Sequence, residues 1–205
     1  MAYDKQLIVV LHPASAPHLQ TLKDGAAALK SAKGISDALV LDPNAVSVES
    51  STHAKFRALT QHSRLYIIAH GGTTIGGSKP GDLAAFLSNT CGLREVGKIV
   101  LIMCGSKTAL ETAQDFHRAL GELHDIRSDM HGYLSEIKII DANDMKLVQE
   151  LAGNGITKLD WKLGERRLKI DGGQSLSDWK KPRDSKLSKY IFGWDADIQM
   201  FDLVY

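Results

Sequence analysis

Short apolar runs alternate with amphipathic stretches over the first 141 residues of the chain. Five runs have the length and composition of buried β-strands, and they span residues 6–11, 37–42, 64–69, 98–103 and 134–140. Between these runs, apolar side chains recur at helical spacing over residues 16–33, 51–62, 82–87 and 107–124. Strands that alternate with helices predict a three-layer α/β/α sandwich with a mainly parallel central sheet.

Two of the predicted helices carry boundary signals. Gly34 follows the last periodic residue of the first helix and predicts its end. Asp82 precedes Leu83, Phe86 and Leu87, so we expect Asp82 to cap a short helix.

The pattern changes after residue 141. Residues 159–170 alternate apolar and charged positions, which predicts a C-terminal β-hairpin. The sequence contains no internal repeat and no second apolar core. We therefore predict one domain over residues 1–205, made of an α/β core at 1–141 and a hairpin with a C-terminal extension at 142–205.

Composition narrows the function classes. The formal net charge of the 205-residue chain is +1, so charge gives no reason to expect nucleic acid or a membrane surface as a partner. The two cysteines do not suggest a disulfide framework, and no cysteine or histidine pair has zinc-ligand spacing, so we expect no metal. No apolar run is long enough to cross a bilayer.

The N-terminal segment bears on the compartment. It leads directly into the apolar run at 6–11, which is too short for the core of a signal peptide and lacks a cleavage site. We therefore expect synthesis in the cytoplasm. Any secretion, or delivery to a host cytosol, would follow a route that leaves the N-terminus intact.

Two of the predicted strands end in a reactive side chain followed by glycine. His70-Gly71 follows the run at 64–69, and Cys104-Gly105 follows the run at 98–103. One helical crossover separates the two strands, so they can be parallel neighbours whose carboxyl ends form a ligand site. An imidazole beside a thiol generates a thiolate nucleophile, and backbone N–H groups at these glycines suit an oxyanion hole. This pair predicts a cysteine peptidase.

These strand ends resemble those of the caspase-like clan of cysteine peptidases, which includes caspases, legumain, clostripain and gingipains. Within that clan, the chain resembles in particular the self-processing cysteine protease domain of large bacterial RTX and clostridial toxins. The flanking segments at 81–87, 112–120 and 135–141 are also similar to that domain. The resemblance covers about residues 64–141, with a weaker likeness at 159–170.

The resemblance implies that Cys104 is the nucleophile and His70 the general base, with the backbone N–H groups of Gly71 and Cys104 in the oxyanion hole. It implies no third catalytic residue and no required cofactor. In this chain Gly105 separates the cysteine from Ser106, the His–Cys interval is short, and the sequence shows no long N-terminal arm with a self-cleavage site. These departures favour a protease that cleaves another protein, as a bacterial effector or virulence factor, over one that cleaves itself.

The toxin domains that the chain resembles are activated by inositol hexakisphosphate, which binds a basic cleft beside a β-hairpin flap. The predicted hairpin here carries the basic residues Lys162, Arg166, Arg167 and Lys169. Polyphosphate binding needs such a convergence of cations. A solvated hairpin explains the same charges, because lysine and arginine are mostly exposed in proteins, so the phosphate activator is the minority interpretation.

Three more residues are candidates for the substrate cleft. His12 follows the first strand, and Gly72 and Ser106 lie beside the two candidate catalytic residues. For His12 a structural or capping role is favoured, since a single histidine at a strand end is more often structural than functional.

Two other function classes stay open. The first is a caspase-like interaction scaffold in which the histidine and cysteine are present but idle. The second is a nucleotide-binding α/β protein that uses the glycine-rich loop at 71–77, although this loop lacks the spacing of a phosphate-binding loop. The sequence does not specify the protein substrate or the oligomeric state.

Overall fold

A computed structural model describes residues 3–14, 18–103, 107–133, 137–139, 148–152, 155–156, 167–170, 192–195 and 200–203. The helices in this part of the chain are α1 (Leu19–Lys33), α2 (Ser50–Arg57), α3 (Pro80–Ala85) and α4 (Lys107–His124), and a π-helical turn at Phe86–Thr90 directly follows α3. The strands are β1 (Gln6–Leu11), β2 (Asp37–Leu41), β3 (Arg64–Ala69), β4 (Lys98–Ile102), β5 (Asp129–Tyr133), β6 (Ile137–Ile139), β7 (Val148–Ala152), β8 (Gly155–Ile156), β9 (Arg167–Ile170), β10 (Phe192–Asp195) and β11 (Met200–Leu203).

Five parallel strands form the centre of the molecule, in the order β2-β1-β3-β4-β5. Strand β9 pairs with the outer side of β5 in the antiparallel direction. Two smaller antiparallel groups, β6-β7-β8 and β10-β11, are separate from this sheet. The parallel sheet with its flanking helices confirms the predicted α/β sandwich.

The side chains of the sheet point alternately into two apolar layers, as the two-residue period of a strand requires. Along β3, Leu65, Ile67 and Ala69 join a cluster that also contains core residues of α2, α3 and α4. The intervening Tyr66 and Ile68 join a second cluster with residues of α1. Helix α1 therefore covers one face of the sheet and the other three helices cover the opposite face. Because both faces of β3 are buried, its sequence is a continuous apolar run.

The fifth parallel strand lies five residues earlier than the sequence pattern indicates. It is β5, at Asp129–Tyr133, and not the apolar run at 134–140. Within that run, Ile137–Ile139 forms β6, which pairs with β7 outside the central sheet. The prediction was wrong because β5 is an outer member of the parallel set and carries polar residues, so its only fully buried apolar side chain among the described ones is Met130, at 1% exposure.

The short helix after the glycine-rich loop begins earlier than expected. Lys79 is the residue before α3 and makes no side-chain capping bond, and Pro80 occupies the first helical position, where its missing N–H costs no hydrogen bond. Asp82 therefore lies inside the first turn, and the prediction that it caps the helix was wrong. The predicted end of α1 is confirmed, since Gly34 has a left-handed backbone with φ 62°.

Only part of the predicted C-terminal hairpin is among the described residues. Its second half forms β9, in which Arg167 pairs with Tyr133 and Lys169 pairs with His131 of β5. Lys162 and Arg166 lie outside the described residues. The division of the chain into a core and a C-terminal extension within one domain stays a prediction.

A hydrogen-bond network closes the amino ends of β1, β3 and β4. Asp4 accepts hydrogen bonds from the hydroxyl groups of Thr60 and Ser63, each at 2.7 Å. Ser63, whose side chain is fully buried, also accepts the Thr60 N–H at 2.9 Å. Gly97 donates its N–H to the Thr60 carbonyl and accepts the Asp129 N–H. These groups satisfy one another and fix where the three strands begin.

Strand β2 lies at one margin of the described sheet and pairs with β1 along five residues. Ala38 and Val40 are exposed, and 47% of the surface of Val40 is accessible to solvent.

Across the described residues, no helix is long and apolar enough to span a bilayer.

Candidate active site

The carboxyl ends of β1 and β3 bring two histidines to the same level of the sheet. Leu11 pairs with Ala69 at the last step of the β1–β3 ladder, so His12 and His70 are the next residues of the two segments. His12 is buried, with 4% of its surface exposed, whereas His70 is exposed. Burial of His12 favours its structural role, and His70 is the histidine that a substrate can reach from solvent.

A third histidine contacts His70 from the start of α1. The ring centroids of His18 and His70 are 5.9 Å apart and the rings meet edge to face, with an angle of 69° between their planes. This distance is within the range at which aromatic rings attract one another. The contact places His70 on the α1 side of the sheet, the side that Tyr66 and Ile68 also face.

The surroundings of His70 lower the pKa of its imidazole from the ordinary value of 6.5. Partial burial of the ring is the largest cause, because it disfavours the charged form, and the positive forms of His18 and His12 add repulsion. A neutral imidazole can accept a proton, so a lowered pKa extends the pH range in which His70 can act as a base.

The glycine-rich loop after His70 folds back onto the end of β1. Gly76 donates its N–H to the His70 carbonyl at 2.8 Å, and Ile75 and Ser78 exchange hydrogen bonds at 2.9 and 3.1 Å. At Gly76 φ is +59°, and a Cβ would lie 2.8 Å from the Cβ of Leu11. Only glycine fits this approach, which keeps the His70 backbone close to the end of β1.

These hydrogen bonds weaken the nucleotide-binding hypothesis. A phosphate-binding loop directs several free N–H groups at the anion. In this loop the N–H groups of Ile75, Gly76 and Ser78 are used by carbonyl groups of the same loop and of His70. These three N–H groups are therefore not free to bind a phosphate.

Helix α4 is attached to the residues that follow His70. The side chain of Thr112 is 5% exposed, and its Oγ1 donates a hydrogen bond to the Gly72 carbonyl oxygen at 2.7 Å. Because α4 follows residues 104–106 in sequence, this bond joins the helix after the candidate nucleophile to the loop after the candidate base. The sequence pattern placed Thr112 only in a helix and gave no signal for this contact.

The candidate nucleophile Cys104 lies outside the described residues, as does Ser106. The preceding residue, Met103, is buried at 3% exposure. The other cysteine, Cys91, is fully buried, and burial raises the pKa of its thiol to about 12. A thiol in that state is not a nucleophile at neutral pH, so Cys91 is excluded from the chemistry.

No three metal-binding side chains among the described residues lie close enough together to hold an ion. Of the basic residues of the predicted activator site, Arg167 and Lys169 lie in β9, whereas Lys162 and Arg166 lie outside the described residues. Gly71 and Gly72 follow His70 in the loop after β3.

A scan against protein-family models gives a match over residues 1–148, to the peptidase C80 family. The chain belongs to the peptidase C80 family. This is a family of cysteine peptidases that occur as autoprocessing domains of toxins. The peptidase C80 chain is therefore a cysteine peptidase, a hydrolase whose substrate is protein. A search of curated proteins gives no match.

Proposed function

We propose that this peptidase C80 chain is an endopeptidase in which His70 and Cys104 form the catalytic dyad. The observation that carries the proposal is the register of β3 and β4. Arg64 pairs with Lys98, and every pair along the ladder to Ile68 and Ile102 keeps the same sequence separation of 34 residues. Cys104 also follows His70 by 34 residues.

The strand register and the alternation of side chains between the two faces of the sheet both support a pair made by His70 and Cys104. If the separation of 34 residues continues past Ile68 and Ile102, the two candidate residues occupy equivalent positions on adjacent parallel strands. The even-numbered residues of β3 and β4 share the α1 face, and the ring of His70 contacts α1 through His18. If the alternation also continues to residue 104, Cys104 belongs to that face, beside His70.

The reaction follows from these roles. Neutral His70 takes the proton from the Cys104 thiol, and the thiolate sulfur attacks the carbonyl carbon of the scissile peptide bond. The backbone N–H groups of Gly71 and Cys104 stabilise the resulting oxyanion. When this intermediate collapses, the C–N bond breaks and His70 gives its proton to the leaving amine. Water then loses a proton to His70 and attacks the thioester carbon. When this second intermediate collapses, the C–S bond breaks, the carboxylic acid leaves and His70 returns its proton to the sulfur of Cys104.

The test measures the rate at which iodoacetamide alkylates the native protein, with mass spectrometry to locate the label. Wild type should be alkylated once, at Cys104, because Cys91 is buried. Alkylation of Cys104 should slow in His70→Ala, and peptide cleavage should fall on the order of 10³-fold or more in both His70→Ala and Cys104→Ala. His62→Ala, which removes an exposed histidine away from this sheet edge, is the matched control and should behave as wild type.

Two results would contradict the dyad. Equal alkylation rates in wild type and His70→Ala would show that His70 does not activate the thiol. Full peptidase activity in Cys104→Ala would show that another group is the nucleophile.

The biological role is part of the same proposal. The chain is a toxin-type protease of the caspase-like clan, synthesised in the cytoplasm and acting on a protein other than itself. The departures around Gly105 support an external substrate. Incubation with an unfolded protein substrate, followed by intact-mass measurement of both proteins, tests this point. Fragments of the substrate with an intact peptidase support it, and fragments of the peptidase alone contradict it.

Inositol hexakisphosphate is proposed as an activator that binds beside β9. The support is the density of basic residues at Lys162, Arg166, Arg167 and Lys169. A ligand that binds only the folded protein raises its melting temperature. We expect the compound to raise the melting temperature of wild type but not of an Arg166→Ala/Arg167→Ala variant. The absence of any shift in wild type would end this proposal.

A further inference from the structure

The backbone of His18 is unusual for the start of a helix. His18 is the residue before the first turn of α1, with φ 70° and ψ 17°, and it makes no side-chain capping bond. Residues at this position are most often Ser, Thr, Asp or Asn in an extended conformation, with a side chain that accepts a helix N–H. His18 has neither an extended backbone nor a side-chain capping bond, so helix capping does not explain its conformation.

Left-handed backbone is costly for residues other than glycine, although histidine enters it more readily than most. Among the described residues, only His18 and Asp125 combine a side chain with a positive φ. Such strain persists where the surrounding structure holds it, and it often marks functional sites. At His18 the conformation coincides with the edge-to-face contact between its ring and the ring of His70.

We propose that His18 is a positioning residue for His70: its left-handed backbone holds the His18 ring edge-on against the His70 ring, restrains the orientation of that imidazole and keeps a second ionisable ring beside it. The proposal rests on the function proposed for His70 as the general base. His18 does not touch the reacting atoms in this account and acts only through His70.

The charges around His70 favour this role. Among the described residues, the titratable groups that face His70 are His12 from the end of β1 and His18 from the start of α1. Cys104, which follows β4, lies outside the described residues. Burial of the ring is the largest cause of the lowered pKa of His70, and a positive charge on either neighbouring histidine adds to it by opposing protonation. The lowered pKa extends the pH range in which His70 can accept a proton.

Two variants of His18 distinguish the effect of its imidazole ring from the effect of its backbone conformation. His18→Asn removes the imidazole but keeps a residue that tolerates the left-handed region and can cap a helix. His18→Phe keeps an aromatic ring and removes the titratable nitrogen atoms. Asp125→Gly is the matched control, because it relieves the other left-handed side chain, at the far end of α4, away from His70.

The measurement is the titration of the His70 Cε1 proton by NMR, in parallel with the melting temperature and the pH dependence of Cys104 alkylation. In His18→Asn we expect the pKa of His70 to rise towards its ordinary value, and the acid limb of the alkylation rate to move to higher pH. The melting temperature should stay the same or rise. His18→Phe keeps the burial of the His70 ring but removes the charge, so the pKa of His70 should rise by less than in His18→Asn, and Asp125→Gly should leave both profiles unchanged.

An unchanged His70 titration in His18→Asn, with the fold intact, would overturn the proposal and leave His18 as a helix start only. The same result in a variant with a lower melting temperature would also overturn it, because the ring contact would then serve stability alone. The NMR titration is independent of catalysis. Failure of the dyad would appear as activity in Cys104→Ala, whereas failure of this inference would appear in the titration of His70.

Discussion

The two ends of the parallel sheet differ in how their polar and ionisable groups are arranged. At the amino end, Asp4, Thr60 and Ser63 satisfy one another's hydrogen bonds, and Gly97 links the strands through its backbone. At the carboxyl end, His18 and His70 repel each other when both are protonated, and His18 is held in left-handed backbone.

This difference predicts that the amino end of the sheet contributes mainly to stability and the carboxyl end mainly to catalytic activity. Polar groups at the amino end are matched, so their loss should destabilise the fold and leave the intrinsic activity of folded molecules unchanged. Groups at the carboxyl end are arranged at some cost to stability, so their loss should change activity more than stability. Single substitutions at each end test whether stability and activity depend on different groups.

The largest effect is expected at Gly97. A Cβ at this position would overlap the carbonyl oxygen of Gln61, which is backbone and cannot move without displacing the turn before β3. We expect Gly97→Ala to destabilise the protein by about 3 kcal/mol, which is a fall of roughly 6–12 °C in melting temperature for a chain of this size. Thermal unfolding followed by circular dichroism measures it.

Gly121→Ala is the control for that variant. A Cβ at Gly121 meets nothing within 4 Å, and the residue lies inside α4. Alanine should therefore stabilise the helix by about 0.5–1 kcal/mol. If Gly97→Ala were as stable as Gly121→Ala, the close approach of Gly97 to Gln61 would not contribute to stability at the amino end of the sheet.

The next effect is expected at Ser63. Its buried hydroxyl accepts the Thr60 N–H and donates to Asp4, so Ser63→Ala leaves a donor and an acceptor without their partner. We expect a loss of about 2 kcal/mol in the free energy of unfolding, measured by urea denaturation. The activity of the folded fraction should not change, and a fall in kcat for folded Ser63→Ala would break the separation between the two ends.

Thr112 tests the carboxyl end. Thr112→Val keeps the shape of the side chain but removes the hydrogen bond to the Gly72 carbonyl. We expect kcat to fall about tenfold, or about 1.4 kcal/mol of barrier, because the segment that holds Gly71 and Gly72 is no longer fixed. The stability loss should be about 1 kcal/mol.

Thr112→Ser restores the hydroxyl and is the rescue control. It should recover most of the activity that valine loses. If Thr112→Ser and Thr112→Val had equal kcat values, the hydrogen bond would not position the loop after His70.

The smallest effect is the pH dependence at Asp4. The hydroxyl groups of Thr60 and Ser63, followed by smaller contributions from the Lys5 N–H and the charge of His62, lower the pKa of Asp4 below its ordinary value of 3.8. An acid whose pKa is lowered by folding stabilises the folded state above its unfolded pKa, and this contribution disappears as pH falls through the folded value. Asp4→Asn should therefore flatten the fall in melting temperature below pH 3.8. An identical acid slope in both proteins would contradict a role for ionised Asp4.

The apolar pattern was sufficient for most of the fold. Strands β1 to β4 and helices α1 and α4 lie within a few residues of their predicted positions, because their buried faces require apolar side chains at a regular period. Strand β5 was misplaced because its polar residues break that period, and the apolar run that follows it belongs to a different sheet. Asp82 was misjudged because Pro80 starts the helix two residues earlier.

The candidate site was only partly predictable. His70 and Gly71 follow from the end of an apolar strand, which is a local feature of sequence. The contact of His18 depends on the sign of a backbone dihedral, and the contact of Thr112 depends on how α4 lies against a loop 40 residues earlier in the chain. Neither leaves a periodic trace in the sequence.

The exposed margin of the sheet has a consequence for handling the protein in solution. Strand β2 presents Ala38 and Val40 to solvent, and among the described strands it pairs with β1 alone, along one of its two edges. A strand with uncharged exposed residues at a sheet margin is a template on which further chains can add. Concentrated samples should therefore associate through β2, and Val40→Lys should raise the concentration at which light scattering first increases while leaving catalysis untouched.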